Sequence, residues 1–204
     1  MNTLVRVLLS ALLISLMEPT LLFAQGDAAA GQAKSALCGS CHGADGNSVI
    51  TLNPKLAGQN AKYLVKQMMD FKSGARLGQT MVAMIANVSE QDMQDIAAYY
   101  ASQTLSVEGA DEASIELAQP LYRAGIKDLS VAACTACHSP TGSGNSQAGF
   151  PAIGGQHADY TLLQLKDFRS GTRANDTSGM MQTIVERLTD KELEAMASYL
   201  SGLN

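Results

Sequence analysis

Two pentapeptides constrain this chain more than anything else in it: Cys38-Gly39-Ser40-Cys41-His42 and, 96 positions later, Cys134-Thr135-Ala136-Cys137-His138. They use all 4 cysteines of a 204-residue chain and two of its 3 histidines. C-x-x-C-H is the attachment signature of c-type haem. Two thiols one helical turn apart can add across the two vinyl groups of one porphyrin, and the adjoining histidine then reaches the iron from the same side. A second axial ligand, commonly methionine, completes such an iron. One copy arises by chance fairly easily; two copies that account for every cysteine do not.

Other uses of the same residues fit worse. A tetrahedral zinc site needs four ligands, each pentapeptide clusters three, and His157 could complete only one copy. A thioredoxin-like dithiol expects a βαβ pattern, which is absent. Structural disulfides would close very small loops and leave both following histidines unexplained.

The start of the chain has a separate purpose. Arg6 is a short positive flank, Val7 to Met17 is apolar, and Leu22-Phe23-Ala24 offers a small-residue cleavage edge. This pattern predicts a secretory signal peptide over 1–24, cleaved after Ala24. Glu18 and Pro19 interrupt the run short of the ~20 apolar residues a membrane span needs, which argues against an uncleaved anchor. Export to the periplasm suits the chemistry, because c-type haem is attached outside the bacterial cytoplasm. Beyond the leader the charge is uneven: 25–104 carries six basic and six acidic residues, and 105–204 seven basic and twelve acidic. Glu108, Asp111, Glu112 and Glu116 contribute to that excess. No basic stripe points to nucleic acid.

The pentapeptides sit in a longer internal repeat. Pro54-Lys55-Leu56-Ala57-Gly58-Gln59, Tyr63, Phe71-Lys72-Ser73-Gly74 and Arg76 return 97 positions later as Pro151-Ala152-Ile153-Gly154-Gly155-Gln156, Tyr160, Phe168-Arg169-Ser170-Gly171 and Arg173. Each copy closes with a helix begun by a capping-box-like pair, Ser89 with Asp92 and Thr189 with Glu192. The apolar positions Met93, Ile96, Ala97 and Tyr100 match Leu193, Met196, Ala197 and Leu200 at helical spacing. Here the offset is 100, so three residues are inserted after Arg173. A middle helix is expected from about Asn60 to Lys72 and His157 to Arg169, stopped by Gly74 and Gly171. Opening helices are expected over Ala28 to Leu37 and Ile115 to Ala124. The fold class is therefore all-α, with two tandem helical domains, 25–101 and 114–204, joined by a linker over 102–113. Each is too small to hold a large core by side chains alone, and a covalent haem would supply apolar volume.

The repeat also sorts the methionines. Met81 falls opposite Met181, each eight residues before the cap, while Met84 faces Ile184 and Met180 faces Thr80. Met81 and Met181 are the expected axial ligands opposite His42 and His138, with Met84 and Met180 second. His157 aligns with Asn60 and reads as a helix N-cap. Arg76 and Arg173 are open between contacts to haem propionates and ordinary surface charge, and Tyr63 and Tyr160 between core aromatics and propionate partners.

These landmarks resemble the cytochrome c4 family: the paired C-x-x-C-H motifs, P-x-L-A-G-Q after the first, F-P-x-x-G-G-Q-H after the second, and the Asn175-Asp176 pair. The segment from Arg76 to Met81 is shorter than the resemblance would lead one to expect. The resemblance implies two class I cytochrome c domains, each with one covalent haem c ligated by His and Met, the propionates turned toward the domain interface. It further implies a periplasmic diheme electron carrier, sometimes peripherally associated with the membrane. Its partners would be the quinol-oxidising bc complex as donor and a terminal oxidase, often of the cbb3 type, as acceptor. Homologous diheme domains also serve as the cytochrome subunit of flavocytochrome dehydrogenases. A diheme peroxidase would need one iron able to open, and the matched methionines argue against it.

Overall fold

The computed structural model describes residues 26–204; the expected signal peptide lies outside the described residues. The first half comprises α1 (Ala28–Lys34), α2 (Ala36–His42), α3 (Ala61–Ser73), α4 (Gln79–Ile85) and α5 (Glu90–Ala101). The second comprises α6 (Glu112–Ala124), α7 (Thr135–His138), α8 (Ala158–Ser170), α9 (Met180–Val185) and α10 (Asp190–Gly202). Among the described residues, pairing of extended chain is limited to two isolated bridges, Ile126 with Val131 and Asn145 with Phe150. No described helix is long and apolar enough to cross a membrane.

In each half the opening helix crosses the closing one, α1 on α5 and α6 on α10, and the middle helix packs on the closing helix. The crossing of α1 on α5 is so close that a Cβ on Gly31 would stand 1.9 Å from the Asp95 carbonyl oxygen, so only glycine fits. The faces read from periodicity are buried: Met93, Ile96, Ala97 and Tyr100 in α5, and Leu193, Met196, Ala197 and Leu200 in α10. Gly74 and Gly171 end the middle helices in left-handed conformation at φ 81 and 78°, a geometry that costs a glycine little.

Local details depart from expectation for identifiable reasons. The first opening helix breaks at Ser35, whose hydroxyl donates to the Gln32 carbonyl, the back-bonding that competes with helical continuation. The second begins at Glu112, earlier than Ile115 and inside the stretch expected as linker. Only Thr189 and Glu192 form a complete capping box, with the Thr189 N–H donating to the Glu192 carboxylate at 2.7 Å. Asp92, one methylene shorter, instead accepts from the Ser89 hydroxyl and pairs with Lys34. The three residues inserted after Arg173 enter a short 3-10 turn, Thr177–Gly179, ahead of α9.

The linker is laid against both halves. Asn47 Nδ2 donates to the Thr104 carbonyl and its Oδ1 accepts from the Ser106 N–H. On the other side the Asp111 N–H donates to the Ser198 hydroxyl. Buried Lys55 donates to the Ser106 carbonyl at 2.7 Å and pairs with the Glu108 carboxylate at 2.9 Å. Glu108 also lies 3.1 Å from His157 Nδ1, so one linker acid touches a residue of each half.

Asp95 ties the start of the first half to its closing helix: it pairs with Lys34 at 2.6 Å and accepts from the Asp27 N–H and from Gln91. Those donors, Lys34 first, hold its carboxyl down at about 2, against about 3.9 when unfolded. A depressed carboxyl stabilises the fold above its unfolded value, and that contribution is lost as pH falls toward 2. Asp95→Asn should therefore melt below the parent protein at neutral pH, with the two melting curves converging as pH is lowered from about 4 to about 2.

Candidate haem sites

Each C-x-x-C-H motif runs along a short helix that delivers its histidine inward. His42 ends α2 and His138 ends α7, and both imidazoles are buried. His42 Nδ1 lies 2.9 Å from the Pro54 carbonyl and His138 Nδ1 lies 3.0 Å from the Pro151 carbonyl. A carbonyl can only accept, so Nδ1 carries the proton and Nε2 keeps its lone pair, as a metal ligand requires. Burial pushes both imidazoles below their usual range, with the carbonyl bond opposing it; each stays neutral. Burial likewise raises the Cys38 thiol and pushes Cys134 up to about 11. All four cysteines are free of disulfides, and no group of three His, Cys, Asp or Glu side chains among the described residues is set to hold a metal by itself.

The methionines separate by environment. Met81 packs against Phe71, Ile85 and Met93 in one core cluster, and Met181 packs against the core of the second half. Met180 is exposed. Met81 stands on α4 and Met181 on α9, short helices that periodicity did not reveal because each offers fewer than two turns of pattern.

Between the halves lies a reciprocal polar seam. Gln156 accepts from the Lys55 N–H and donates to the Lys55 carbonyl, at 2.8 and 2.9 Å. Gln59 treats Ala152, the counterpart of Lys55, in the same way at 2.9 and 2.7 Å. Asn60 and His157 occupy helix N-cap positions but cap nothing, contrary to the expectation for His157. Asn60 Nδ2 donates to the Phe150 carbonyl and His157 Nε2 donates to the Ser48 carbonyl, each across the seam. Their backbone position was legible, but the long-range partner was not.

Arg76 and Arg173 are buried in the same seam, which rules out ordinary surface charge. Arg76 lies over Phe71 at 4.6 Å and donates to Gln67, Gln164 and the Tyr160 hydroxyl. Arg173 lies over Phe168 at 4.4 Å and donates to Gln164, Gln67 and the Tyr63 hydroxyl. Every one of these acceptors is neutral. Burial would raise the Tyr63 hydroxyl, yet the charges of Arg173, Arg76 and Lys66 bring it below its usual value, as positive potential in the seam would. Two buried guanidiniums with only neutral acceptors form a seat for anions, and haem propionates have the right chemistry.

Comparison with known proteins agrees with this geometry. Residues 28–104 and 124–204 each match the Cytochrome c family model. Cytochrome c4 of Pseudomonas aeruginosa is 51% identical over 198 residues, spanning 97% of this chain and 98% of that protein. This chain belongs to the cytochrome c4 family. The crystal structure of reduced recombinant cytochrome c4 from Pseudomonas stutzeri superposes with a TM-score of 0.86 at 48% identity, covering 88% of this chain and 100% of that one. A thiosulfate dehydrogenase electron acceptor of Stutzerimonas stutzeri is 35% identical over 170 residues, 81% of this chain and 78% of its own length. As a member of the c4 family the chain is a diheme electron carrier rather than an enzyme, with two covalent haem c groups marked by Cys38 and Cys41 and by Cys134 and Cys137.

The seam yields a test. Gln156→Leu would strand the Lys55 N–H and C=O, each costing about 1–3 kcal/mol if left unpaired and buried. Calorimetry should then show the two halves of the holoprotein melting less cooperatively, while haem content stays at two.

Proposed function

We propose that His42 and Met81 ligate the iron of the first haem and His138 and Met181 that of the second. The observation that carries this reading is the repeated pair of imidazoles whose Nδ1 is held by a proline carbonyl, each in a half whose core also packs one register-matched methionine. Bound haem supplies one-electron chemistry, with His/Met ligation favouring the reduced iron. The chain's own residues supply the rest. The proline carbonyls fix which ring nitrogen is left free to bind a metal, the helical core excludes water, and Arg76 and Arg173 would pair with haem propionates at the seam. With a histidine and a methionine of this chain both bound to each iron, no position would be left for a substrate.

On this reading the protein works in the periplasm, where c-type haem is attached, after removal of residues 1–24. It passes electrons from the quinol-oxidising bc complex to a terminal oxidase of the cbb3 type. A second donor is favoured by one observation, the 35% identity to a thiosulfate dehydrogenase electron acceptor: a thiosulfate-oxidising enzyme would then reduce this carrier. Stopped-flow reduction of the purified holoprotein by each candidate donor separates the two, and slow reduction by the bc complex beside fast reduction by thiosulfate dehydrogenase would overturn the first.

The ligand set has its own test. A pyridine haemochrome assay with intact mass on protein from a haem-maturing host should give two covalent haems. Met81→Ala and Met181→Ala should each keep both haems, remove one of the two methionine-to-iron charge-transfer contributions and lower one of the two reduction potentials. A variant that leaves the band and both potentials intact would reassign that ligand, with Met84 or Met180 next in line.

A further inference from the structure

The halves depart from symmetry where the chain approaches its methionine. In the second half three extra residues lengthen the path from Arg173 to Met181, and on that path Asn175 and Asp176 bond in opposite directions. Asp176 faces its own half. Its Oδ2 accepts from the Met181 N–H at 2.6 Å and more weakly from the Gln182 N–H at 3.4 Å, and its Oδ1 accepts from the Gln182 side chain at 3.0 Å. Asn175 faces the other half. Its Nδ2 donates to Gln67 at 2.9 Å and to the Asp70 carboxylate at 2.5 Å, both on α3, and its carbonyl accepts from Lys66 at 2.8 Å. Its Oδ1 accepts from Arg173 Nε at 3.0 Å.

The first half differs at this point. Arg76 bonds across the seam to Tyr160 and Gln164, but Leu77 is exposed and Gly78 precedes α4 without any side-chain cap, so no side chain links the start of the Met81 helix to a group bonded across the seam. Two adjacent side chains, Asn175 and Asp176, therefore form a strap that joins the backbone of Met181 to the middle helix of the opposite half, and Met81 has no such strap at the start of its helix.

We propose that Asn175 and Asp176 are positioning residues that make the ligation of the second haem depend on docking of the two halves. This rests on the assignment of Met181 as a ligand. A carboxylate on the first free N–H groups of α9 fixes the start of a helix too short to be stable alone, and the neighbouring amide anchors that carboxylate's backbone to α3. When the halves are docked, Met181 is held at one place; when they part, its segment loses the anchor. The second haem thus reports on the seam, and the first does not.

The test compares Asp176→Ala, Asn175→Ala, Asp176→Asn and Met181→Ala in the full-length holoprotein, reading the methionine-to-iron charge-transfer band against temperature and both reduction potentials. Asp176→Ala should lower the same single potential that Met181→Ala lowers, and one of the two band contributions should bleach at a lower temperature. Asn175→Ala should act on that same haem, more weakly. Asp176→Asn keeps an acceptor for the Met181 N–H and should stay close to the parent protein in both readouts. If Met181→Ala removes one band contribution while Asp176→Ala and Asn175→Ala leave potentials and bleaching unchanged, the ligand stands and the strap falls. If Asn175→Ala shifts both haems equally, the residue merely holds the halves together and the proposal fails. If Met181→Ala leaves the full band, the ligand assignment itself is wrong and the redox role of the strap goes with it.

Discussion

A hydrogen bond from a buried imidazole to a proline carbonyl underlies both halves. His42 to Pro54 and His138 to Pro151 fix the tautomer and plane of the ring, and they fix the loop that leads from the motif to the proline. The residues directly after those prolines, Lys55 and Ala152, are the ones the opposite half grips through Gln156 and Gln59. The placement of each motif histidine and the docking of the halves therefore share one short stretch of backbone. A disturbance of the loop cannot move the histidine without also moving the seam, which is a physical reason for both features to recur together in each half.

The two halves solve one packing problem by different means. In the first half the Tyr99 hydroxyl, on the closing helix, donates to the Ala44 carbonyl at 3.0 Å. In the second the Tyr122 hydroxyl, on the opening helix, donates to the Ser139 carbonyl at 2.6 Å. Each bond secures the backbone just beyond the motif histidine, and each tyrosine lies against another, Tyr100 or Tyr199, with ring centroids 5.2 or 5.5 Å apart. What matters at this position is an aromatic body that fills the crossing and a hydroxyl that reaches one carbonyl. Which helix supplies it is free to vary.

Much of this was legible in the sequence because it is local and repeated. The motifs gave the cofactor chemistry, the spacing of Met93, Ile96, Ala97 and Tyr100 gave a buried face, and Gly74 and Gly171 gave helix ends. Legibility failed where the partner is distant along the chain. His157 stands where a cap would stand, but its bond runs to Ser48, 109 positions away. Arg76 and Arg173 carry no pattern that distinguishes a solvated guanidinium from one buried over a phenylalanine. The Asn175-Asp176 pair was visible as a motif, yet its meaning depends on α3 of the other half. The short helices carrying Met81 and Met181 lacked enough turns for periodicity to register.

The reciprocity of the seam has a consequence for how such a molecule arises. Gln59 on Ala152 and Gln156 on Lys55, Arg76 near Tyr160 and Arg173 near Tyr63, obey the rule of an isologous contact, in which the same patch serves both partners. A single haem domain bearing that patch is already complementary to itself. Duplication and fusion of a self-pairing ancestor would give this architecture without inventing a new surface, and the covalent join would then release each copy from identity with the other. The strap at Asn175 and the exchange of tyrosines are differences that a fused pair can accumulate, whereas in a homodimer every substitution appears twice.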